Sequence, residues 1–390
     1  MKKLLFLNHT LGVGGAEKVL VNLVNGLDKS KYDVTLMTVI DTGIFKKDLN
    51  PDVKYKTIFK LPFNFNKSGE SGSLQASSSP LKTFLKKVYQ LFWRYAPCKW
   101  IYKKYVKDNY DYEIAFLEGI CAKILAASTE EKAKKYVWLH IDLVNENKSD
   151  AFFKNIDDQK KCYDSFDKIV CVSDIVRNQA IKKLNLNPTK YVKLYNSIHS
   201  DEIKEKASLK DIDHSIFTFA TVGRLATQKG YDRMISVSKK LKDEGYQFRV
   251  QIIGEGPEEM NLKNMVEELN LQDVIQFLGF QSNPYPYIKA CDVFICPSRA
   301  EGFSTVASEA VVLHKACLVT NCSGMGELFG ENGEYGYVVI NDENGIYEGM
   351  KNIINNNELI INLEQKSKEN SSRFNLGESI SILEKELLNG

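Results

Sequence analysis

The sequence predicts an α/β protein built from two parallel-sheet domains. Three observations carry that prediction. Apolar runs of strand length alternate with helical periodicity almost from end to end, which implies parallel strands with helices on both faces. The pattern restarts after residue 215. And 390 residues are long for one core but comfortable for two of about 150–200 residues.

In the first half, Lys3–Asn8 reads as a buried strand. Ala16–Leu27 follows as a helix with Val19, Leu20, Leu23, Val24 and Leu27 on one face. Val34–Ile40, Tyr136–His140 and Lys168–Ser173 read as further strands. In the second half the series is strand Phe217–Val222, a helix from Tyr231 to Gly245, and strands Arg249–Gly254, Val274–Leu278 and Val293–Pro297. A helix over Ser304–His314 and the strand Cys317–Asn321 close it. The charged stretch SDEIKEKASLKDIDHS marks the joint. Two Rossmann-like domains are therefore expected over 1–205 and 206–370, with a terminal amphipathic helix over 371–390 (Ile380, Leu383, Leu387).

Two segments interrupt the alternation. Asn64–Pro80 is rich in Ser, Gly and Asn and reads as a mobile loop within the first domain. Leu81–Lys107 carries eight Lys/Arg, eight aromatics and no acid. Leu81, Phe84, Leu85, Val88, Phe92 and Tyr95 share one helical face, with Lys82, Lys86, Lys87 and Arg94 off it; Pro97 should end or kink that helix. A basic helix with an aromatic face suits an anionic membrane surface, or equally a domain core with its lysines in water.

Composition narrows the function. Lys+Arg 52 against Asp+Glu 50 gives a net charge of +2, which does not indicate a nucleic-acid partner. With 43% hydrophobic and 26% charged residues, the chain is neither disordered nor fibrous. No run approaches the roughly 18 apolar residues of a membrane span. MKKLLFLN has too few apolar residues for a secretory leader. The eight cysteines form no CxxC pair and several sit in apolar runs, which suggests a reducing, cytoplasmic setting. The histidines are too scattered to suggest a metal site.

The chemistry-bearing residues cluster in loops after strands. GVGGAEK (12–18) sets Gly14 and Gly15 before the first helix. It lacks the GxGxxG dinucleotide pattern, and it reads equally as an anion-accepting turn or as a plain tight turn. GRLATQKG (223–230) puts Arg224 and Lys229 just past a strand, where open α/β sheets bind ligands. IIGEGPE ends another strand. In PSRAEGFSTVASEA, Glu301 and Glu309 are separated by seven residues, and the helix starting at Ser304 or Thr305 offers hydroxyls and free N–H groups. Two cations, a helix start and two carboxylates at strand ends describe a sugar-diphosphate site.

GGAEK, GRLATQKG, IIGEGPE and EGFSTVASEA together resemble the successive signatures of the family-4 retaining glycosyltransferases, including those that build bacterial capsule and exopolysaccharide. That resemblance implies the GT-B fold: two Rossmann-like domains facing across a cleft, the first binding acceptor, the second binding nucleotide sugar, and a C-terminal helix crossing back. It implies that Arg224 and Lys229 hold the diphosphate, Glu301 the sugar hydroxyls and Glu309 the ribose. Gly302, Phe303, Ser304, Thr305 and Val306 would offer backbone amides to the distal phosphate. Gly223 and Gly254 would belong to the donor site, Gly279 and Phe280 would border the base, and Gly14 and Gly15 would close on the diphosphate. His140 would stand near the sugar, and Ser173 and Asn196 would line the cleft. The expected activity is metal-independent retaining transfer, with no cofactor, to a glycan or lipid-linked glycan at the inner membrane face. The rival readings are a sugar-nucleotide epimerase of the same fold and a catalytically silent subunit.

Overall fold

The computed structural model describes residues 1–12, 14–60, 80–145, 147–212, 215–322, 324–330 and 332–388. The expected loop over 64–80 lies outside these, apart from Pro80. Contacts divide the chain into two units: Met1–Ser197 with the residues from Leu376 onward, and Ile198–Asn375. The division thus falls somewhat earlier than the expected 205/206, because the helix Ser200–Ala207 packs with the second unit.

The first unit is a seven-stranded sheet. Its strands are β1 (Lys2–Asn8), β2 (Tyr32–Ile40), β3 (Lys54–Phe59), β4 (Tyr112–Ala115), β5 (Lys134–Leu139), β6 (Lys168–Cys171) and β7 (Tyr191–Lys193). The order is β3-β2-β1-β4-β5-β6-β7 and every pairing is parallel. The helices are α1 (Gly15–Gly26), α2 (Pro80–Tyr95), α3 (Cys98–Tyr105), α4 (Ile120–Ala126), α5 (Ile156–Asp164) and α6 (Asp174–Leu184). Leu4–Leu7 of β1 are wholly buried, as a central strand covered on both faces requires.

The second unit begins with α7 (Ser200–Ala207). Its strands are β8 (Thr218–Val222), β9 (Arg249–Ile253), β10 (Ile275–Gly279), β11 (Val293–Cys296), β12 (Ala316–Thr320) and β13 (Tyr337–Val339), in the parallel order β10-β9-β8-β11-β12-β13. Between them run α8 (Tyr231–Asp243), α9 (Glu259–Glu268), α10 (Tyr285–Ala290), α11 (Thr305–Val312) and α12 (Met325–Phe329), followed by α13 (Glu343–Ile354) and α14 (Asn357–Asn370). Phe219, Val250, Ile252, Val293 and Ile295 from the strands form one core with Met234, Leu241 and Met350 from α8 and α13.

Four strands lie beyond the sequence expectation, each for a physical reason. β3, β7 and β13 are edge strands, half exposed, and lack a continuous apolar run. β4 is central but contains Glu113, a wholly buried acid that accepts the Tyr102 hydroxyl; burial raises its pKa. The C-terminal segment is also more broken than expected. Ser371–Phe374 is a 3-10 turn of the second unit, and α15 (Leu376–Leu383) and a π-type turn over Glu384–Leu388 belong to the first. There the Tyr112 and Tyr136 hydroxyls donate to the Leu388 and Leu387 carbonyls (2.7 and 2.6 Å). These bonds satisfy carbonyls that a helix end leaves unpaired.

Candidate functional site

In the second unit the strand order changes direction between β8 and β11. Open parallel sheets take ligands at the carboxyl ends of strands beside such a switch. The loops there are sewn together. Gly230, with φ +69°, ends the loop after β8, and a Cβ on it would lie 2.1 Å from the Pro297 carbonyl oxygen. The loop backbone therefore rests directly on the end of β11. Beside it, the Arg299 N–H donates to the Gln228 carbonyl (2.7 Å), and the Gln228 side-chain amide donates to the Ala300 carbonyl (2.8 Å). The Arg299 guanidinium forks onto Asp232 at 2.7 and 2.6 Å. On the other flank a Cβ on Gly254, φ +139°, would lie 2.0 Å from the Gly223 carbonyl.

This seam brings Lys229 and Glu301 together. Lys229 Nζ donates to Glu301 Oε1 at 2.7 Å, and Ser298 Oγ donates to the same oxygen at 2.6 Å. Glu301 is only 8% exposed. Burial works against the Lys229 ammonium, but the Glu301 carboxylate outweighs it and holds the pKa above the usual lysine value. Lys229 is thus a fixed positive charge. The sequence placed both residues in one site but gave no sign that they pair, since 72 positions separate them. Ser298 was missed, although a small hydroxyl three residues before the acid in PSRAEG was an available signal. Arg224, in the same loop as Lys229, is exposed.

Further along, Ser304 occupies the N-cap of α11, yet its hydroxyl caps nothing: Oγ is buried with no hydrogen-bond partner. Gly302 and Phe303 are buried, with the Phe303 ring against Phe374 (5.8 Å), while Thr305 and Val306 are half-buried in the first turn. Glu309, 3% exposed, accepts the Tyr285 hydroxyl at 3.2 Å. Tyr285 opens α10 and carries no motif, so the sequence offered no route to it. Gly279 ends β10 with φ +65°; Phe280 beside it is exposed, its N–H 3.4 Å from Glu255 Oε1.

The first unit holds the remaining residues. Gly14 precedes α1 with φ −161°, an extended conformation any residue adopts, and a Cβ there would meet the Glu17 carboxylate (2.1 Å). What glycine spares at this position is room for Glu17. Gly15 is the first residue of α1. His140 follows β5, its N–H donating to Glu118 Oε2 (3.1 Å) and its ring 4.9 Å from that of Phe116. Neither ring nitrogen makes a hydrogen bond of ordinary geometry, and burial lowers the imidazole pKa to about 4 against a smaller upward pull from the Phe116 backbone. Ser173 caps α6, accepting the Val176 N–H at 3.2 Å. Asn196 is buried, and its Oδ1 has no partner. His9, just past β1 and absent from the sequence expectation, sits 2.6 Å from the Tyr89 hydroxyl, and burial lowers its pKa to about 4 as well.

Two neutral histidines give the fold an acid-side weakness. Above about pH 6.5 both are neutral whether the chain is folded or not, so they contribute nothing. As pH falls from about 6.5 towards about 4, the unfolded chain binds protons that folded His9 and His140 refuse. Stability then drops with pH, by up to about 3 kcal/mol per group. Thermal melts at pH 8, 6.5 and 5 should show a fall concentrated in the lower interval, and His140→Phe should about halve it, leaving the share of His9.

Among the described residues, no group of three or more His, Cys, Asp or Glu comes together as a metal ion would need. Residues 201–373 match the family described as glycosyl transferases group 1. The chain is 27% identical over 382 residues to N-acetylgalactosamine-N,N'-diacetylbacillosaminyl-diphospho-undecaprenol 4-alpha-N-acetylgalactosaminyltransferase of Campylobacter jejuni, which covers 96% of each. It is 30% identical over 212 residues to an uncharacterized glycosyltransferase of Methanocaldococcus jannaschii, 53% of this chain and 55% of that protein. Among solved structures, Anabaena HepE in complex with UDP and glucose superposes with a TM-score of 0.75 at 18% identity, covering 100% of both chains. Sucrose-phosphate synthase of Thermosynechococcus elongatus does so at 0.74 and 15%, covering 100% of this chain and 98% of that one. At these identities the structural likeness speaks for the GT-B fold alone.

Proposed function

We propose that this chain, whose residues 201–373 match the family described as glycosyl transferases group 1, is a glycosyltransferase that moves a sugar from a nucleoside-diphosphate donor to a hydroxyl of a lipid-linked glycan. The transfer retains the anomeric configuration, needs no metal ion and serves surface-polysaccharide synthesis. The observation that carries this reading is the buried Lys229–Glu301–Ser298 cluster at the switch between β8 and β11.

The donor belongs to the second unit. Lys229, kept charged by Glu301, and Arg224 offset the negative charge that grows on the leaving diphosphate. Such preorganised charge is commonly the largest catalytic term. The unpartnered Ser304 hydroxyl and the first-turn amides of α11 suit the distal phosphate. Glu309, steadied by Tyr285, accepts ribose hydroxyls, and Glu301 accepts those of the sugar. With both acids so engaged, neither is left to attack the anomeric carbon. The bond from that carbon to the leaving phosphate oxygen breaks as the bond to the acceptor oxygen forms on the same face, and the acceptor's proton passes to the phosphate. In the first unit His140, neutral at working pH, acts through hydrogen bonds rather than charge, and Ser173 and Asn196 are held as acceptor-side residues. The lipid-linked acceptor is suggested by the Campylobacter relative, whose printed name carries diphospho-undecaprenol.

The test is turnover of UDP- and GDP-sugars with a lipid-linked acceptor in the presence of a chelator, with the product anomer read by NMR. Release of nucleoside diphosphate with a retained anomer is expected. Epimer formed without acceptor, or loss of activity on chelation, overturns the reading. Arg224→Ala should lower kcat at least about tenfold, the scale of one charge-assisted hydrogen bond to phosphate. Because Arg224 is exposed, its melting temperature should stay put.

A further inference from the structure

α2 is held on one side and bare on the other. On the held side Trp93 is buried, edge-on to Phe59 and Tyr89 (6.3 Å each), and the Tyr89 hydroxyl reaches His9. Arg94 donates twice to the Ala151 carbonyl (3.2 and 3.1 Å). Lys123 of α4 donates to the last-turn carbonyls of Trp93 and Arg94 and to Phe152 (2.8, 2.9 and 2.9 Å). Such locks fix the helix's rotation.

The opposite side is an apolar stripe in water. Phe84, Leu85, Val88, Leu91, Phe92 and Tyr95 are 44–63% exposed, and Trp100 of α3 joins them at 55%. These seven make up a large share of the exposed large apolar residues among those described. Positions 84, 88, 91 and 95 follow helical spacing, so the stripe is continuous. Exposed Lys86 and Lys87 flank it, Lys99, Lys103 and Lys104 follow on α3, and no acid occurs from 81 to 107. A contiguous exposed apolar patch of this kind marks a contact surface. Two copies docking stripe to stripe would bring like charges together with no acid to relieve them. An anionic bilayer accepts both features at once. At about 24 Å the helix is too short to span a membrane, and no helix among the described residues is long and apolar enough to do so.

We propose that α2 and the start of α3 form an interfacial anchor, the apolar stripe entering the headgroup–acyl boundary of an anionic bilayer and the lysines pairing with lipid phosphates. The Tyr89–His9 contact ties that anchor to the carboxyl end of β1, where the first sheet changes direction. Delivery of a lipid-linked acceptor to that edge rests on the function proposed above; bilayer binding does not.

The full chain is floated with vesicles of phosphatidylcholine alone or with phosphatidylglycerol added, at low and high salt, without donor. Binding to the anionic vesicles, at least tenfold weaker to the neutral ones and reduced by salt, is expected. Val88→Ser/Leu91→Ser and Lys86→Glu/Lys87→Glu should each abolish it while melting temperature and turnover of a short soluble acceptor stay unchanged. Equal binding to both vesicle types overturns the proposal. So does no binding, whether sedimentation finds a monomer or a dimer that the Ser variant dissociates. A failed flotation with normal soluble-acceptor transfer overturns the anchor and leaves the transferase reading standing.

Discussion

Lys229→Ala lowers kcat at least about a hundredfold, the loss typical when a preorganised charge facing a developing anion is removed. The structure adds a consequence for stability. Glu301 is almost wholly buried, with Lys229 and Ser298 as hydrogen-bond donors on one oxygen. Removing Lys229 leaves that carboxylate without its cation, and breaking a buried pair from one side costs about 3–5 kcal/mol. The variant is therefore expected to melt several degrees lower as well as turn over slowly, and the two effects must be separated. Lys229→Met/Glu301→Gln removes both charges, so its melting temperature should recover while activity does not. Calorimetry and steady-state kinetics on the two variants check this. A Lys229→Ala enzyme with near-normal kcat would remove the diphosphate assignment.

Gly230→Ala is expected to be almost as damaging, though its side chain is inert. A left-handed φ costs a non-glycine residue about 1–2 kcal/mol. Here the new methyl would also lie 2.1 Å from the Pro297 carbonyl oxygen, a backbone atom that cannot swing aside. The loop after β8 must lift off β11, carrying Lys229 away from Glu301. Gly245→Ala is the matched control: φ is +90°, but nothing lies within 4 Å of its Cβ. Gly245→Ala should show only the conformational cost with full activity, whereas Gly230→Ala should lose more stability and at least about tenfold in kcat, since a small misplacement of a catalytic group is costly. Equal stability and activity in the two variants would show that the seam does not position the site.

The sequence by itself determined the alternation of strands and helices, the repeat of that pattern in two halves and the loops that carry the charges. All of these rest on local periodicity and on residues close in sequence. Arg224, Lys229 and Glu301 were singled out because they follow apolar strand runs, and Glu309 by its spacing from Glu301. Edge strands β3, β7 and β13 were not, because half-exposed segments lack a distinctive run, and β4 was hidden by Glu113, whose burial depends on Tyr102.

Only the tertiary structure decided which charges meet and which faces stay bare. Lys229 finds Glu301, Arg299 finds Asp232 and Tyr285 finds Glu309 through strand order, not through spacing. In the same way the periodicity of α2 gave an apolar stripe, but not whether a core covers it. Trp93, Arg94 and Lys123 settle that by fixing the helix's rotation. Such pairings are set by long-range packing, in which each contact depends on many others, and no window of sequence contains them.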